Sequence, residues 1–348
     1  MSNPSTDTSV PSGAGYLPSV SLDAYLAHAA AEHPGLHELI DPARARSPRL
    51  LSALVSVTNE FDSDETGRGD SYRRAQRDAS VRWTGARHLL RLATRSDSPG
   101  DVTLLDVLGG DGTIARAVAD RADSRLAKLS IITGDISGEM VARALALGLP
   151  AVRQSADALV LRDCSVDAAL LAYGTHHIAP ADRPQAASEA VRVVKPGGRV
   201  VLHDFDTTSP MARFFTEVVH PYSAAGHDYA HFCRAELAAL FDGLPVTATI
   251  VDVYDPLIVE AEDRETAAAR MCQYIADMYG VQRVFAAHRD TAASWTFIEE
   301  FFDHTRYVSG LPDVQPGAPL QPVLREAADR WFAEVPRMAV VAVAEKRA

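Results

Sequence analysis

Lysine is almost missing from this chain. Of 34 basic residues only Lys128, Lys195 and Lys346 are lysines, and 46 acidic residues leave a net charge of −12. Nucleic acid demands a dense basic face, so a nucleic-acid partner is not expected. The strongest basic stretch, Arg68 to Arg82, is interrupted by acids and reads as a solvated helix face. Cysteine is scarce as well. Cys164, Cys233 and Cys272 are odd in number and far apart, which supports neither a disulfide framework nor a Cys-x-x-Cys zinc site. A reducing cytoplasm is the expected location. No apolar run approaches the ~20 residues that span a bilayer, so no membrane partner is expected. Arginine in place of lysine, together with abundant alanine, points to a GC-rich bacterial genome.

What remains is a globular composition, 47% hydrophobic and 23% charged over 348 residues. That length suits a central domain with additions at both ends. Residues 1–20 are rich in Ser, Thr, Pro and Gly, with neither a basic start nor an apolar stretch, and read as a disordered leader. From Leu22 to about Leu92 the pattern is helical. Leu22, Tyr25, Leu26 and Ala29 share one face, Leu50, Leu51, Leu54 and Val55 another, and Pro34, Pro42 and Pro48 punctuate. Residues 71–93 are predicted as one long amphipathic helix.

The character changes at Val102. Short apolar strands are predicted at 102–108, 129–133, 151–153, 166–173 and 199–205, with helices at 113–122, 138–147 and 183–194 between them. Strands apolar on both faces that alternate with helices mean a parallel sheet covered on both sides. Helices at 211–219 and 234–241 follow, then strands at 246–254 and 338–344. An insertion separates the last two strands, with predicted helices at 265–284 and 291–307 and a Pro/Gly-rich loop at 312–322. The expected divisions are a leader (1–20), a helical N-terminal lid (21–98), an α/β core (99–254), a helical insertion over the substrate (255–336) and the last core strand (337–348).

Leu104-Leu105-Asp106-Val107-Leu108-Gly109-Gly110-Asp111-Gly112-Thr113 falls on a strand-to-helix turn, where glycine lets the backbone approach a ligand. Gly110 to Ala115 also fits the dinucleotide pattern G-x-G-x-x-A, with Asp135 placed as a ribose acid. The turn alone therefore leaves a nicotinamide reading open.

Order and context favour another family. Four more blocks follow the glycine turn: Gly134-Asp135-Ile136-Ser137-Gly138-Glu139-Met140-Val141, Ala156-Asp157-Ala158-Leu159 leading into Asp163–Asp167, Thr175-His176-His177-Ile178, and Lys195-Pro196-Gly197-Gly198. Together they resemble class I S-adenosylmethionine-dependent methyltransferases of the small-molecule type, over residues 100–206. One departure is Leu108, which stands where the family's first glycine is usual and would narrow the methionine end. The resemblance implies a Rossmann-like seven-stranded mixed sheet, order 3-2-1-4-5-7-6 with the last strand antiparallel. A helical N-terminal extension and a helical lid insertion would flank it. It implies S-adenosylmethionine as cofactor, cradled by Leu108, Gly109, Gly110 and Gly112 and bordered by Tyr173. Asp135 would accept hydrogen bonds from the ribose hydroxyls and Asp106 would hold the methionine amino group. Ile136 and Met140 would sandwich the adenine, and Ser155, Ala156 and Asp157 would meet its amino group.

Methyl transfer is an in-line displacement at a sulfonium carbon, so the protein chiefly positions the acceptor and excludes water. In an open parallel sheet the reacting atoms gather beyond the carboxyl ends of the strands. That puts Tyr173, His176 and His177 after the fourth strand near the sulfonium, with His203 and Asp204 at the fifth. Tyr173, His176 and His203 are the catalytic candidates, and His177 reads as local scaffold. His220, His227 and His231 make a second cluster with Tyr222 and Tyr229. His227 and His231 have the spacing of one helix face, but Gly226 interrupts and no third, carboxylate ligand is apparent, so no metal is expected. The expected function is methyl transfer to a small metabolite in bacterial secondary metabolism. The alternative, of the same fold, is attack on the cofactor's own aminobutyl carbon, giving azetidine-2-carboxylate and methylthioadenosine. The expected partner is a small-molecule substrate, and an apolar N-terminal helix face is compatible with a homodimer.

Overall fold

The computed structural model describes residues 15–55, 69–97, 99–120, 126, 128–311 and 317–348. Most of the expected leader (1–14) and the first part of the Pro/Gly-rich loop (312–316) lie outside them, as does Arg68. The strands are β1 (Val102–Asp106), β2 (Leu129–Asp135), β3 (Ala151–Arg153), β4 (Val166–Leu171), β5 (Val194–Asp204), β6 (Val246–Tyr254), β7 (Leu257–Ala261), β8 (Val323–Ala327), β9 (Arg330–Val335) and β10 (Met338–Lys346). Seven of them form one sheet in the order β3-β2-β1-β4-β5-β10-β6. β1, β2, β3, β4 and β5 pair in parallel, and β10 runs antiparallel between β5 and β6. This is the expected 3-2-1-4-5-7-6 topology.

Successive side chains on a strand point to opposite faces, and here both faces are apolar. Leu104, Leu170, Val201 and Val341 enter the core on one side; Leu105, Ile132, Leu171, Leu202 and Val340 enter the core on the other. Each such buried side chain contributes roughly 1.5–3 kcal/mol of transfer free energy. The first core is closed by the Trp83–Thr94 helix, the Thr113–Asp120 helix and the insertion; the second by the Gly138–Ala146 and Arg183–Val193 helices and the N-terminal helices.

Three expectations need correction. The 71–93 segment is not one helix: Gly69–Gln76 ends, Asp78 caps a short 3-10 turn at Ala79–Arg82, and a new helix runs Trp83–Thr94. The Asp78 carboxylate accepts from the Ser80 N–H at 3.2 Å, a local bond that competes with continuing the helix. Tyr16 and Leu17, assigned to the leader, are buried against the core, where the Arg153 guanidinium donates to the Tyr16 carbonyl at 2.8 Å. His227 and His231 lie in an irregular segment, and the chain turns at Gly226 (φ +69°), the residue expected to interrupt a helix there. The insertion is not purely helical: β7, β9 and β8 form a three-stranded antiparallel sheet beside the Arg264–Tyr279 helix.

That helix starts where the Asp263 side chain accepts from the Thr266 N–H and stops at Gly280. Its inner face meets the Gly69–Gln76 helix, and Arg74 pairs with Asp277 across the contact at 2.8 Å. The N-terminal segment and the insertion therefore roof the carboxyl ends of the sheet together. Among the described residues no helix is long and apolar enough to cross a membrane.

Candidate active site

β1 ends on Asp106, and the chain then folds back over β2. The Gly109 N–H donates to the Gly134 carbonyl at 2.8 Å, and a Cβ on Gly109 would lie 2.9 Å from Thr133. Gly112 has φ +85°, and a Cβ there would come 2.4 Å from the Leu149 side chain, so only glycine fits. Asp135 closes the turn: one carboxylate oxygen accepts from the Gly110 N–H at 2.9 Å, the other from the Ser137 N–H at 2.8 Å. Asp106 is buried. Its burial and the neighbouring Asp135 push its carboxyl up to about 7, against the opposing pull of Arg82 and the Leu108 N–H.

On the far side of Asp135 stand the residues expected to meet the adenine. Ile136 is half-buried, and Met140 is buried. Ser155 and Ala156 are buried, and the Ser155 hydroxyl donates to Asp157. Asp157 also pairs with Arg49 at 2.7 Å; against its burial, the bonds from Ser155 and Arg49 hold its carboxyl below the usual range.

A cavity in two lobes opens between the sheet and its roof. The outer lobe is bounded by Asp106, Leu108, Gly109, Thr113 and Ala172. The inner lobe reaches His176, His177, His203 and Phe205. Tyr72, Arg82 and Tyr173 border both. Arg82 corrects the reading of the basic stretch as a solvated face: it is 7% exposed, with its guanidinium 4.8 Å from the centre of the Tyr173 ring. It donates to Gln76, and no carboxylate of the described residues lies in ion-pair range of it.

Tyr173 follows β4 with a left-handed backbone (φ +61°), a costly conformation for an aromatic residue that aims its ring into the cavity. Its hydroxyl donates to Asp255 at 3.0 Å, and burial followed by the Asp255 charge raises its pKa well above the ordinary value. Asp255, just after β6, is fully buried. It receives Arg337 at 2.7 Å and has His203 Nε2 at 3.4 Å. Burial alone would raise the Asp255 carboxyl, but Arg337, His203 and Tyr173 hold it below the carboxylate range. The Asp255 N–H also donates to the Arg337 carbonyl at 2.9 Å, so this pair clamps the two ends of the insertion. Space for the carboxylate comes from the Trp83–Thr94 helix, where a Cβ on Gly85 would lie 1.6 Å from Asp255 Oδ1.

At the inner end two imidazoles contact Asp204 and two more stand beside them. Nδ1 of His176 lies 3.0 Å and Nδ1 of His231 3.1 Å from its carboxylate, and the Phe205 N–H donates to it at 2.7 Å. Against burial, the two histidines hold the Asp204 carboxyl well below its ordinary value. His227 stacks on Phe215 at 4.2 Å and stands 5.0 Å from the His176 ring; His177 lies 4.5 Å from His176. His220 stays outside, accepting from the His227 N–H. Asp204 is thus the carboxylate that the sequence reading could not supply for the second cluster.

The glycine turn and Asp135 were legible because they lie in contiguous blocks. Arg82, Asp255 and Arg337 were not; the only trace is that two charged residues stand where the insertion leaves and rejoins the sheet. Comparison with known proteins agrees with the geometry. Residues 105–202 match a family described as a methyltransferase domain. The ubiquinone/menaquinone biosynthesis C-methyltransferase UbiE of Brucella anthropi is 32% identical over 157 residues, 43% of this chain and 54% of that protein. The UbiE of Geotalea daltonii is 36% identical over 132 residues, 34% of this chain and 51% of its own length. The chain thus spans about half the length of these curated relatives. Among solved structures, the YcgJ protein from Bacillus subtilis aligns with 75% of this chain and 98% of its own, at 16% identity and a TM-score of 0.45.

Proposed function

The chain belongs to the class I S-adenosylmethionine-dependent methyltransferase superfamily, and from that premise we propose that it transfers the cofactor's methyl group to a small metabolite held in the inner lobe. The observation that carries this reading is the two-lobed cavity, with Asp106 and Arg82 both on its outer wall. A methionine end is a zwitterion. Asp106 would take its ammonium and Arg82 its carboxylate, two charge-assisted contacts in a poorly hydrated space. Asp135 would take the ribose hydroxyls on the remaining lone pairs of its carboxylate.

The cofactor supplies a methyl group already activated on a sulfonium. The chain's own residues orient the acceptor and remove its proton. His203 is the residue we assign to the proton, because it faces the inner lobe and Asp255 stands behind it to stabilise the imidazolium. Tyr173 does not suit that role: its hydroxyl is spent on Asp255, and its raised pKa keeps it a neutral phenol that shapes the wall. The roof over the lobes supports a small acceptor of the kind made in bacterial secondary metabolism, since a polymer would need an open groove.

Calorimetric titration of the protein with S-adenosylhomocysteine tests the cofactor site. Asp135→Ala should weaken binding by about 1.5–3 kcal/mol, the range for hydrogen bonds to a charged group, with the thermal midpoint checked separately. Unchanged affinity would remove Asp135 from the site. Incubation with S-adenosylmethionine and no acceptor should leave the cofactor intact. Methylthioadenosine formed faster than in buffer would replace methyl transfer by attack on the aminobutyl carbon.

A further inference from the structure

We propose that His176, His177 and His227 bind one divalent transition-metal ion of the zinc class, with a coordination position open to the inner lobe. One ligand atom from each lies within 4.8 Å of those of the other two. Bonds of 2.0–2.1 Å to a common ion require the rings to close by roughly 1 Å, within the reach of side-chain torsions. Three histidines leaving a fourth position free is the arrangement of a catalytic rather than a structural zinc site. Neutral imidazole nitrogens select the zinc, iron, copper and nickel group over magnesium or calcium.

The surroundings point the same way. Metal-bound histidines characteristically donate their second ring nitrogen to a carboxylate, which fixes the tautomer. His176 does so here, through Nδ1 to Asp204 at 3.0 Å. His231 makes the same contact at 3.1 Å, and its own Nε2 is buried with no hydrogen-bond partner. His176 and His177 also border the cavity, so an ion there would face the acceptor. Its role rests on the transferase reading, whereas its binding does not. Coordination would acidify an acceptor hydroxyl. The proton passes to His203, the oxygen lone pair forms the new bond to the methyl carbon, and the carbon–sulfur bond breaks to leave S-adenosylhomocysteine.

The test is metal uptake by the full chain, stripped with chelator and dialysed against Zn²⁺ or Co²⁺ without cofactor. Stoichiometry is read by mass spectrometry and the Co²⁺ form by its visible spectrum. One ion per chain is expected. His177→Ala and His227→Ala should each lower affinity at least about 100-fold, and Asp204→Asn about 10–100-fold, as loss of an orienting carboxylate does. His177 is only half-buried, so its replacement is the one least able to unfold the chain. Asp135→Ala should keep full uptake, which separates this site from the cofactor reading. No uptake by the wild-type chain overturns the proposal. So does uptake that survives both histidine substitutions, which would move the ion to the other possible set, His176, Asp204 and His231.

Discussion

Asp106 meets two neighbours of opposite sign at the mouth of the outer lobe. Burial and Asp135 favour its neutral form, Arg82 and the Leu108 N–H its charged form, and the balance leaves it near 7 against an ordinary 3.8. The sign of the linkage follows. An unfolded chain releases this proton near 3.8, so the contribution to stability is present at low pH and is lost as pH rises through about 7. Cofactor binding runs the other way, since a ligand ammonium needs the carboxylate. Affinity for S-adenosylhomocysteine is therefore expected to rise with pH by up to about tenfold per unit below pH 7 and to level off above it. Asp106→Asn should bind weakly at every pH. Calorimetry from pH 5.5 to 8.5 reads both, and a flat wild-type profile would show that Asp106 is already ionised before the ligand arrives. Asp106 and Asp135 could be picked from the sequence because each stands within a contiguous block. Arg82 could not, since its meaning depends on a wall built from elements it touches only after folding.

The Trp83–Thr94 helix carries a residue that looks like a mistake when read locally. Glycine in a helix interior costs about 1 kcal/mol relative to alanine. At Gly85 the added methyl group would occupy the place of the Asp255 carboxylate, which Arg337 and Tyr173 already hold. Gly85→Ala should thus destabilise the protein by about 3–5 kcal/mol, the cost of disrupting a buried ion pair. Gly35→Ala, where a Cβ meets nothing within 4 Å, should be neutral or stabilising by up to about 1 kcal/mol. Denaturant melts of both variants compare the two, and equal midpoints would mean that Asp255 relocates freely. The same dependence on distant partners explains which elements were legible. β3 and β6 have the bounds that their apolar patterns predict. The β8–β9 hairpin was missed because Ala328 and Asp329 make its turn with φ of +51° and +59°, without the Asn-Gly or Asp-Gly pair that usually marks such turns. Its outer strand is also mostly exposed, which leaves little apolar alternation to read.

For the whole molecule, the question is whether the two additions to the core act as one roof or two. The 255–336 insertion is anchored at its neck by Asp255 and Arg337, and the N-terminal segment reaches the cavity through Tyr72 and Arg82. They are joined by apolar packing of the Arg264–Tyr279 helix on the Gly69–Gln76 helix, by Arg74 with Asp277, and by Arg270 with Asp78 at 3.7 Å. The Arg74–Asp277 contact is the stronger of the two ion pairs, because Asp277 is 4% exposed and also accepts from Gln273 and Gln282. A ligand that fills the outer lobe touches the N-terminal part directly, yet these links must carry any closure into the insertion. Bound S-adenosylhomocysteine is therefore expected to slow proteolysis and amide exchange in 69–94 and 264–279 by similar factors. Arg74→Ala should uncouple the two, leaving protection of the first and reducing protection of the second. Cleavage of the insertion at equal rates with and without ligand would make it a fixed wall, and the acceptor would then have to enter through the N-terminal side alone.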